Sequence, residues 1–454
     1  MKNIARSTIR LATIACLAAA CWHAPHPVLA TQAEPCGRNL GTIYNNDINN
    51  IIWRIGMSKE PATAEVYRRY VQRILDGKPG VLAQCVGFPE GVLYPTKVDT
   101  NMAKHWVELC QKTWPEADQS GYVAQIDVLN KLFESGADPL AITIDVCRRR
   151  GVRIVASYRM NAEDLYANTW MLSDFGRAHP EWRIAGAGCL DPAVPEVFEH
   201  RLKILDELLT NYDVDGIELD FRRWYHMVSD PLNNHEVLTR MVRQTRALLD
   251  EAARRKGRKR LLLGARVGPL LEGTFDKADF PGAEYGEPIN MSCQGLGLDV
   301  KTWVDDGLVD YLCPATFSPL GLPRTREFVE LAKGTGVGVY PTLSQWPCGA
   351  TAAPIIGQSD NAQTQRRHRD DVCTEALRCY DDGADGVSLF NWFQHHYPPR
   401  AKDQFDSGTK REWSTTYTAD MNIPALGFGW VEQEIMPALA DPTTLRKLLN
   451  EPRR

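Results

Sequence analysis

Strand-like and helix-like segments alternate eight times along this chain, and that alternation leaves few folds open. The strand-like runs are GTIYNND around Ile43, VLAQCVGF from Val81, VRIVASYRMN from Val152 and DGIELDF from Asp215. They continue with LLLGARVG from Leu261, DYLCPATFS from Asp310, VGVYPTLS from Val337 and DGVSLFNWF from Asp385. Between them, stretches such as AEVYRRYVQRIL and HEVLTRMVRQTRALLDEAARR repeat apolar residues every three or four positions, the pattern of helices with one buried face. Gly151, Asp213 and Gly383 stand where such helices would stop before the next strand. Eight βα units predict an α/β fold of the (β/α)8 TIM-barrel type, with parallel strands inside a ring of helices. A doubly wound sheet is the competing architecture. It would carry a glycine-rich phosphate turn after the first strand, where this chain has YNNDINN. With neither GxGxxG nor a P-loop, no cofactor is expected.

The barrel is expected to occupy residues 31–400 as a single domain with long βα loops. A C-terminal extension, 401–454, would pack on it and include the last helix within VEQEIMPALADPTTLRKLL. Residues 1–30 read as an export signal. Lys2, Arg6 and Arg10 precede the short apolar run Leu11–Trp22, and Val28-Leu29-Ala30 offers small residues for cleavage near Ala30. A lipoprotein signal ending at Cys21 fits less well, because Ala18 stands where leucine is usual. The expected location is therefore secreted or periplasmic, with no transmembrane segment. The formal charge of −5 becomes more negative once the three cations leave, which argues against nucleic acid as a partner. Oligomeric state is not legible. The cysteines outside the signal permit disulfides in an oxidising compartment, although Cys85 and Cys313 sit in apolar runs that suit buried thiols. No CxxC pair suggests zinc.

Against this frame the stretch YDVDGIELDFRRW, Tyr212–Trp224, is unusual. Strand side chains alternate between faces, so Ile217, Leu219 and Phe221 share one face and Glu218, Asp220 and Arg222 the other. In a closed parallel barrel neither face meets bulk water. The apolar set suits the helices, so the charged set must point into the barrel, towards the C-terminal end where barrel enzymes keep their active sites. Other strands feed the same end. The third brings Arg159 and Asn161, the fifth Arg266, the first Asn46 and Asp47 beside Asn45, and the eighth Asn391 and Trp392. Arg223, Trp224 and Trp346 follow strands four and seven, and the tryptophans offer flat faces for sugar rings. Any single arginine here has a plain reading as a structural ion pair, with Arg159 or Arg266 expected to neutralise Glu218 deep in the barrel; convergence from several strands favours a functional site. Asp47, Glu218 and Asp220 are hard oxygen ligands, but the neighbouring arginines argue against a metal.

HPEWRIAG, SYRMNAED and YDVDGIELDFRRW together resemble the glycoside-hydrolase-like family 10 barrels, secreted proteins of polysaccharide-degrading bacteria, over roughly Gly41–Trp392. The resemblance implies a polysaccharide or oligosaccharide substrate and puts Asp220 at the acidic position that ends strand four. DGIELDF is also similar to the strand-four motif of family 18 chitinases, which carry their catalytic glutamate where this chain has Arg222, so that mechanism does not carry over. Glycoside hydrolysis ordinarily uses two carboxyl groups. Asp220, nearest the strand end, is expected to be the acid/base; Glu218 lies one pleat deeper, about 6–7 Å along the backbone. Mutual repulsion would raise one pKa and an arginine would lower the other. Strand seven ends in Ser344, Gln345 and Trp346 rather than a carboxylate, leaving Asp47, Glu163 or Asp164 as candidate partners. Arg159, Arg222, Arg223 and Arg266 point to an anionic glycan such as a uronate or sulfated polymer. The rival functions are a carbohydrate-binding barrel without turnover, and a lyase or deacetylase.

Overall fold

The computed structural model describes residues 35–47, 50–52, 55–56, 60–88, 91–101, 119–161, 173–222, 226–274, 292–316, 322–343, 362–390 and 435–450. The proposed export signal, residues 401–434, and Glu163, Asp164, Arg223, Trp224, Ser344, Gln345, Trp346, Asn391 and Trp392 lie outside these.

The eight expected strands are present: β1 (Ile43–Asn46), β2 (Val81–Phe88), β3 (Arg153–Arg159), β4 (Gly216–Asp220), β5 (Leu262–Val267), β6 (Tyr311–Pro314), β7 (Gly338–Val339) and β8 (Ser388–Phe390). Each pairs in parallel with its neighbour in sequence, and β1 also pairs with β8. The last seam runs just beyond β7. Thr342 bridges Ser388 in parallel, the Ser388 amide donates to the Pro341 carbonyl (2.9 Å), and the Leu343 amide donates to the Ser388 carbonyl (2.9 Å). That seam closes the sheet into a barrel. A two-residue strand, Gly91–Val92, folds back antiparallel on the end of β2.

A helix follows every strand, and several helix ends carry the expected signals. After β1 comes α1 (Ala64–Asp76), whose N-cap Thr63 accepts from the Val66 amide. After β2 come α2 (Gln119–Glu134) and α3 (Pro139–Arg150). The α3 N-cap Asp138 accepts two amides, and Gly151 ends the helix at φ 68°, a left-handed conformation that glycine adopts without strain. Next come α4 (Pro195–Asn211), α5 (Pro231–Arg255), α6 (Val300–Asp305), α7 (Thr325–Leu331), α8 (Ala362–Asp381) and α9 (Pro442–Asn450). Helix α9 docks on α8, where Tyr380 donates to the Leu439 carbonyl (2.7 Å) and Arg446 meets Asp381 (2.7 Å). No described helix is long and apolar enough to cross a membrane.

The strands divide two cores. Ile217, Leu219 and Phe221 pack outward among the helices, whereas Leu40, Ile43, Val81, Val155, Leu262, Tyr311 and Tyr340 fill the lower lumen. At the N-terminal end of the barrel an aspartate before each of β4, β6 and β8 accepts the amide of the strand alongside. Asp215 takes Ile154 (2.9 Å), Asp310 takes Leu263 (2.8 Å) and Asp385 takes Val339 (3.0 Å). Each also holds an arginine: Arg258, Arg260 and Arg38 respectively, all at 2.8 Å. At the opposite end, α4 anchors the excursion after β2. Glu207 accepts from Thr96 Oγ1 (2.6 Å) and the Lys97 amide (2.7 Å), and His200 Nε2 meets Asp99 Oδ2 (2.8 Å).

Candidate active site

The register stacks the polar residues of the lumen in two layers. In the upper layer Arg159, Asp220, Arg266 and Cys313 are successive neighbours on β3, β4, β5 and β6. One pleat deeper, Ser157, Glu218, Gly264 and Tyr311 are neighbours on the same strands. Glu218 and Asp220 therefore face the lumen, as the alternation predicts, and both are buried, at 0% and 1% exposure.

Glu218 is held by three side chains. Asn45 Nδ2 reaches across the barrel from β1 and donates to Oε1 (2.5 Å), and Ser157 Oγ donates to the same oxygen (2.9 Å). Tyr311 donates its hydroxyl to Oε2 (3.1 Å). The tyrosine stands two strands away, and it reaches because Gly264 lies between. A Cβ on Gly264 would fall 2.0 Å from the ring, so only the missing side chain lets the phenol pass. Burial pushes the Glu218 carboxyl up to about 7 and the charge of Asp220 adds to it, while Ser157, Arg266 and Tyr311 oppose the rise.

Asp220 has different partners. Arg266 Nη1 lies 3.2 Å from both carboxylate oxygens, and the Arg222 amide donates to Oδ1 (2.9 Å). The Arg266 guanidinium rests 4.0 Å from the centroid of the Phe390 ring, a cation–π contact supplied by β8. Arg222 turns inward, and its Nε donates to the Ala315 carbonyl (2.7 Å). Burial and the charge of Arg266 push its pKa down to about 9, which leaves it cationic at neutral pH. Across the mouth Arg159 Nη2 pairs with Asp47 Oδ2 (2.5 Å), both buried. Asn161 donates its amide to the His226 carbonyl (2.6 Å), tying the loop after β3 to the loop after β4. Asp47, Glu218 and Asp220 thus face Arg159, Arg222 and Arg266, three carboxylates against three guanidiniums.

Two expectations need correction. Asn46, grouped with Asp47 as a substrate contact, faces the helices. It donates to Gln84 Oε1 (3.1 Å), receives Asn50 Nδ2 at its Oδ1 (3.3 Å), and leaves the lumen to Asn45. Strand alternation puts neighbours on opposite faces, and YNND contains too many polar residues in a row to reveal which of them points inward. The second concerns partners. Arg159 and Arg266 compensate Asp47 and Asp220 rather than Glu218, because register sets which residues meet. The residues that do hold Glu218 were missed. Ser157 shares the inward parity of Arg159, and Gly264 is the one signal that marks room for Tyr311. Among the described residues no group of histidines, cysteines and carboxylates could hold a metal ion. Cys85 and Cys313 are buried thiols in the lumen, and burial pushes Cys85 up to about 12.

The family described as glycosyl hydrolase-like 10 matches residues 114–260, a span that contains HPEWRIAG, SYRMNAED and YDVDGIELDFRRW and so bears out the resemblance drawn from them. Glycosyl hydrolase DigH of Escherichia coli K12 is 24% identical over 241 residues, 46% of this chain and 53% of that protein; the Shigella flexneri protein gives the same figures. The match spans about half the length of these curated relatives. Among solved structures, the glycoside hydrolase domain of PgaB (BpsB) from Bordetella bronchiseptica is 12% identical at a TM-score of 0.39. It covers 79% of this chain and 96% of its own. A class V chitinase from Pseudomonas fluorescens is 12% identical at 0.38, covering 78% and 96%.

Proposed function

We propose that this protein is an exported glycoside hydrolase that cleaves a polysaccharide or oligosaccharide, with Asp220 as its acid/base. The observation that carries the proposal is the stacked pair at the lumenal end of β4, where Asp220 stands in the upper layer directly above Glu218. In this reading Asp220 protonates the glycosidic oxygen as its bond to the anomeric carbon breaks, and water supplies the new oxygen. Arg266 yields its contact with Asp220 as the substrate enters. Glu218 touches no substrate. Held by Asn45, Ser157 and Tyr311, it positions Asp220 and keeps a titratable proton beneath it. Asp47, across the mouth, is the described carboxylate best placed to act on the water.

The ion pairs favour a second reading, a carbohydrate-binding barrel without turnover. Asp220 and Asp47 are each engaged by an arginine, and arginine-compensated carboxylates need no reaction to explain them. The same balance weakens the case for an anionic glycan, because Arg159 and Arg266 already face carboxylates. One experiment separates these readings. The purified chain and Asp220→Asn are incubated with neutral and anionic polysaccharides, and products are read by mass. Hydrolysis by the wild type, lost by orders of magnitude in the variant with ligand binding retained, is the expected result. Binding without products from the wild type would leave the second reading; unsaturated or deacetylated products would replace hydrolysis with another chemistry.

A further inference from the structure

The N-terminal end of the barrel, opposite the candidate site, is divided by charge. Under β2 to β5 it is basic. Helix α3 closes on Arg148, Arg149 and Arg150 with Arg153 just beyond, and α5 closes on Arg254 and Arg255, followed by Lys256, Arg258 and Lys259. Ion pairs knit these segments into one surface. Arg150 reaches Asp76 below α1 (3.1 Å), Arg148 meets Asp213, and Arg258 meets both Asp213 (3.1 Å) and Asp215 (2.8 Å). Four exposed cations, Lys78, Arg153, Arg255 and Lys259, have no ion-pair partner among the described residues. Under β6 and β8 the excess is absent: Asp305-Asp306 close α6 and Asp381-Asp382 close α8, and each aspartate is matched by one cation, Lys301, Arg243 (3.1 Å), Arg446 (2.7 Å) and Arg326 (2.8 Å) respectively.

The ordinary explanation for cations at this end is the helix dipole, since every helix here points its negative C-terminus at it. That explanation predicts cations all round the ring, yet α6 and α8 end in paired aspartates. A local excess of cations in a chain of formal charge −5 therefore requires another cause.

We infer that this basic sector docks the barrel on an anionic phospholipid bilayer, with the candidate site facing away from the membrane. The inference rests on the export reading, which makes a bilayer the extended anionic surface at hand. Clustered lysines and arginines near such a surface each add to binding, and the attraction is screened by salt.

Co-sedimentation of the full chain with vesicles tests this, using phosphatidylglycerol mixed into phosphatidylcholine against phosphatidylcholine alone. The neutral vesicles report any binding through the apolar N-terminus. Preference for the anionic vesicles, reversed by added salt, is expected. Arg153→Glu, Arg255→Glu and Lys259→Glu together should weaken it on the order of a hundredfold, with thermal melting and turnover unchanged. Equal binding to both vesicles, or equal binding by the triple variant, overturns the inference. Retention by a soluble anionic polymer with no vesicle preference overturns it too, and assigns the sector to that polymer. Cell fractionation reads export separately, so failure of that reading and failure of this surface are told apart.

Discussion

Replacing Glu218 by glutamine should change the pH dependence of stability in a way that only a buried, raised carboxyl can. Glu218 binds its proton at about 7 in the folded protein against an ordinary value of 4.5. The unfolded chain therefore gives up this proton first as pH rises. Between those two values the folded state holds the extra proton, and stability falls by ~1.36 kcal/mol per pH unit. The total is about 3 kcal/mol, lost between about pH 4.5 and 7 and constant above. Glutamine suits the same cradle. Its Oε1 can accept from Asn45 and Ser157, and its Nε2 can donate to the Tyr311 hydroxyl, which has lone pairs to spare. Glu218→Gln should thus mimic the protonated acid at every pH. Urea unfolding of both proteins at pH 5, 6, 7 and 8 should show the variant gaining on the wild type as pH rises, by roughly 2–3 kcal/mol across the series. A difference that stays flat over that range would refute the reasoning, because it would mean that Glu218 carries the same charge folded and unfolded.

Arg266→Met should cost about 3–5 kcal/mol by leaving Asp220 buried without its cation. Adding Asp220→Asn should recover much of that stability, measured by urea midpoint, while turnover stays lost. Gly264→Ala should cost about 1–3 kcal/mol, because its Cβ would fall 2.0 Å from the Tyr311 ring and displace the hydroxyl from Glu218. The check is thermal unfolding beside Tyr311→Phe, which loses the hydrogen bond without the clash and should be the milder change.

The sequence carried the barrel well and the site unevenly. The eight strands lie where apolar runs end in turn residues, and burial of Ile217, Leu219 and Phe221 among the helices follows from parity alone. Parity also placed Arg159 and Arg266 correctly, since each sits a whole number of pleats from a residue whose face is fixed. It failed at Asn46, because a run of polar residues leaves the phase of β1 undetermined. Pairing across strands was harder still. Arg266 meets Asp220 because β4 and β5 align those two positions, and Tyr311 meets Glu218 only because Gly264 intervenes. Register depends on the closed sheet, so no single segment encodes it. The raised pKa of Glu218 shows the same limit. Repulsion by Asp220 was foreseeable, but burial is the larger cause, and it follows from a deeper layer that fills only when the sheet closes.

The two ends of the barrel carry their charges for different reasons. At the N-terminal end Asp215, Asp310 and Asp385 each bind a strand amide as well as an arginine, so they do structural work that no apolar residue could replace. At the mouth the carboxylates of Glu218 and Asp220 accept no amide from a neighbouring strand; their partners are side chains and the Arg222 amide two residues away. A buried ion pair whose contacts are side chains contributes little over apolar residues of the same shape. The lower lumen of this same barrel shows that apolar filling is available, with Ile43, Val81, Val155 and Leu262 packed there. Continuing that packing upward would have been the more stable solution. That the upper lumen instead holds three carboxylates and three arginines is a departure from what the fold requires, and such departures are expected at functional sites. It is the strongest physical reason to regard the mouth of this barrel as a site of chemistry.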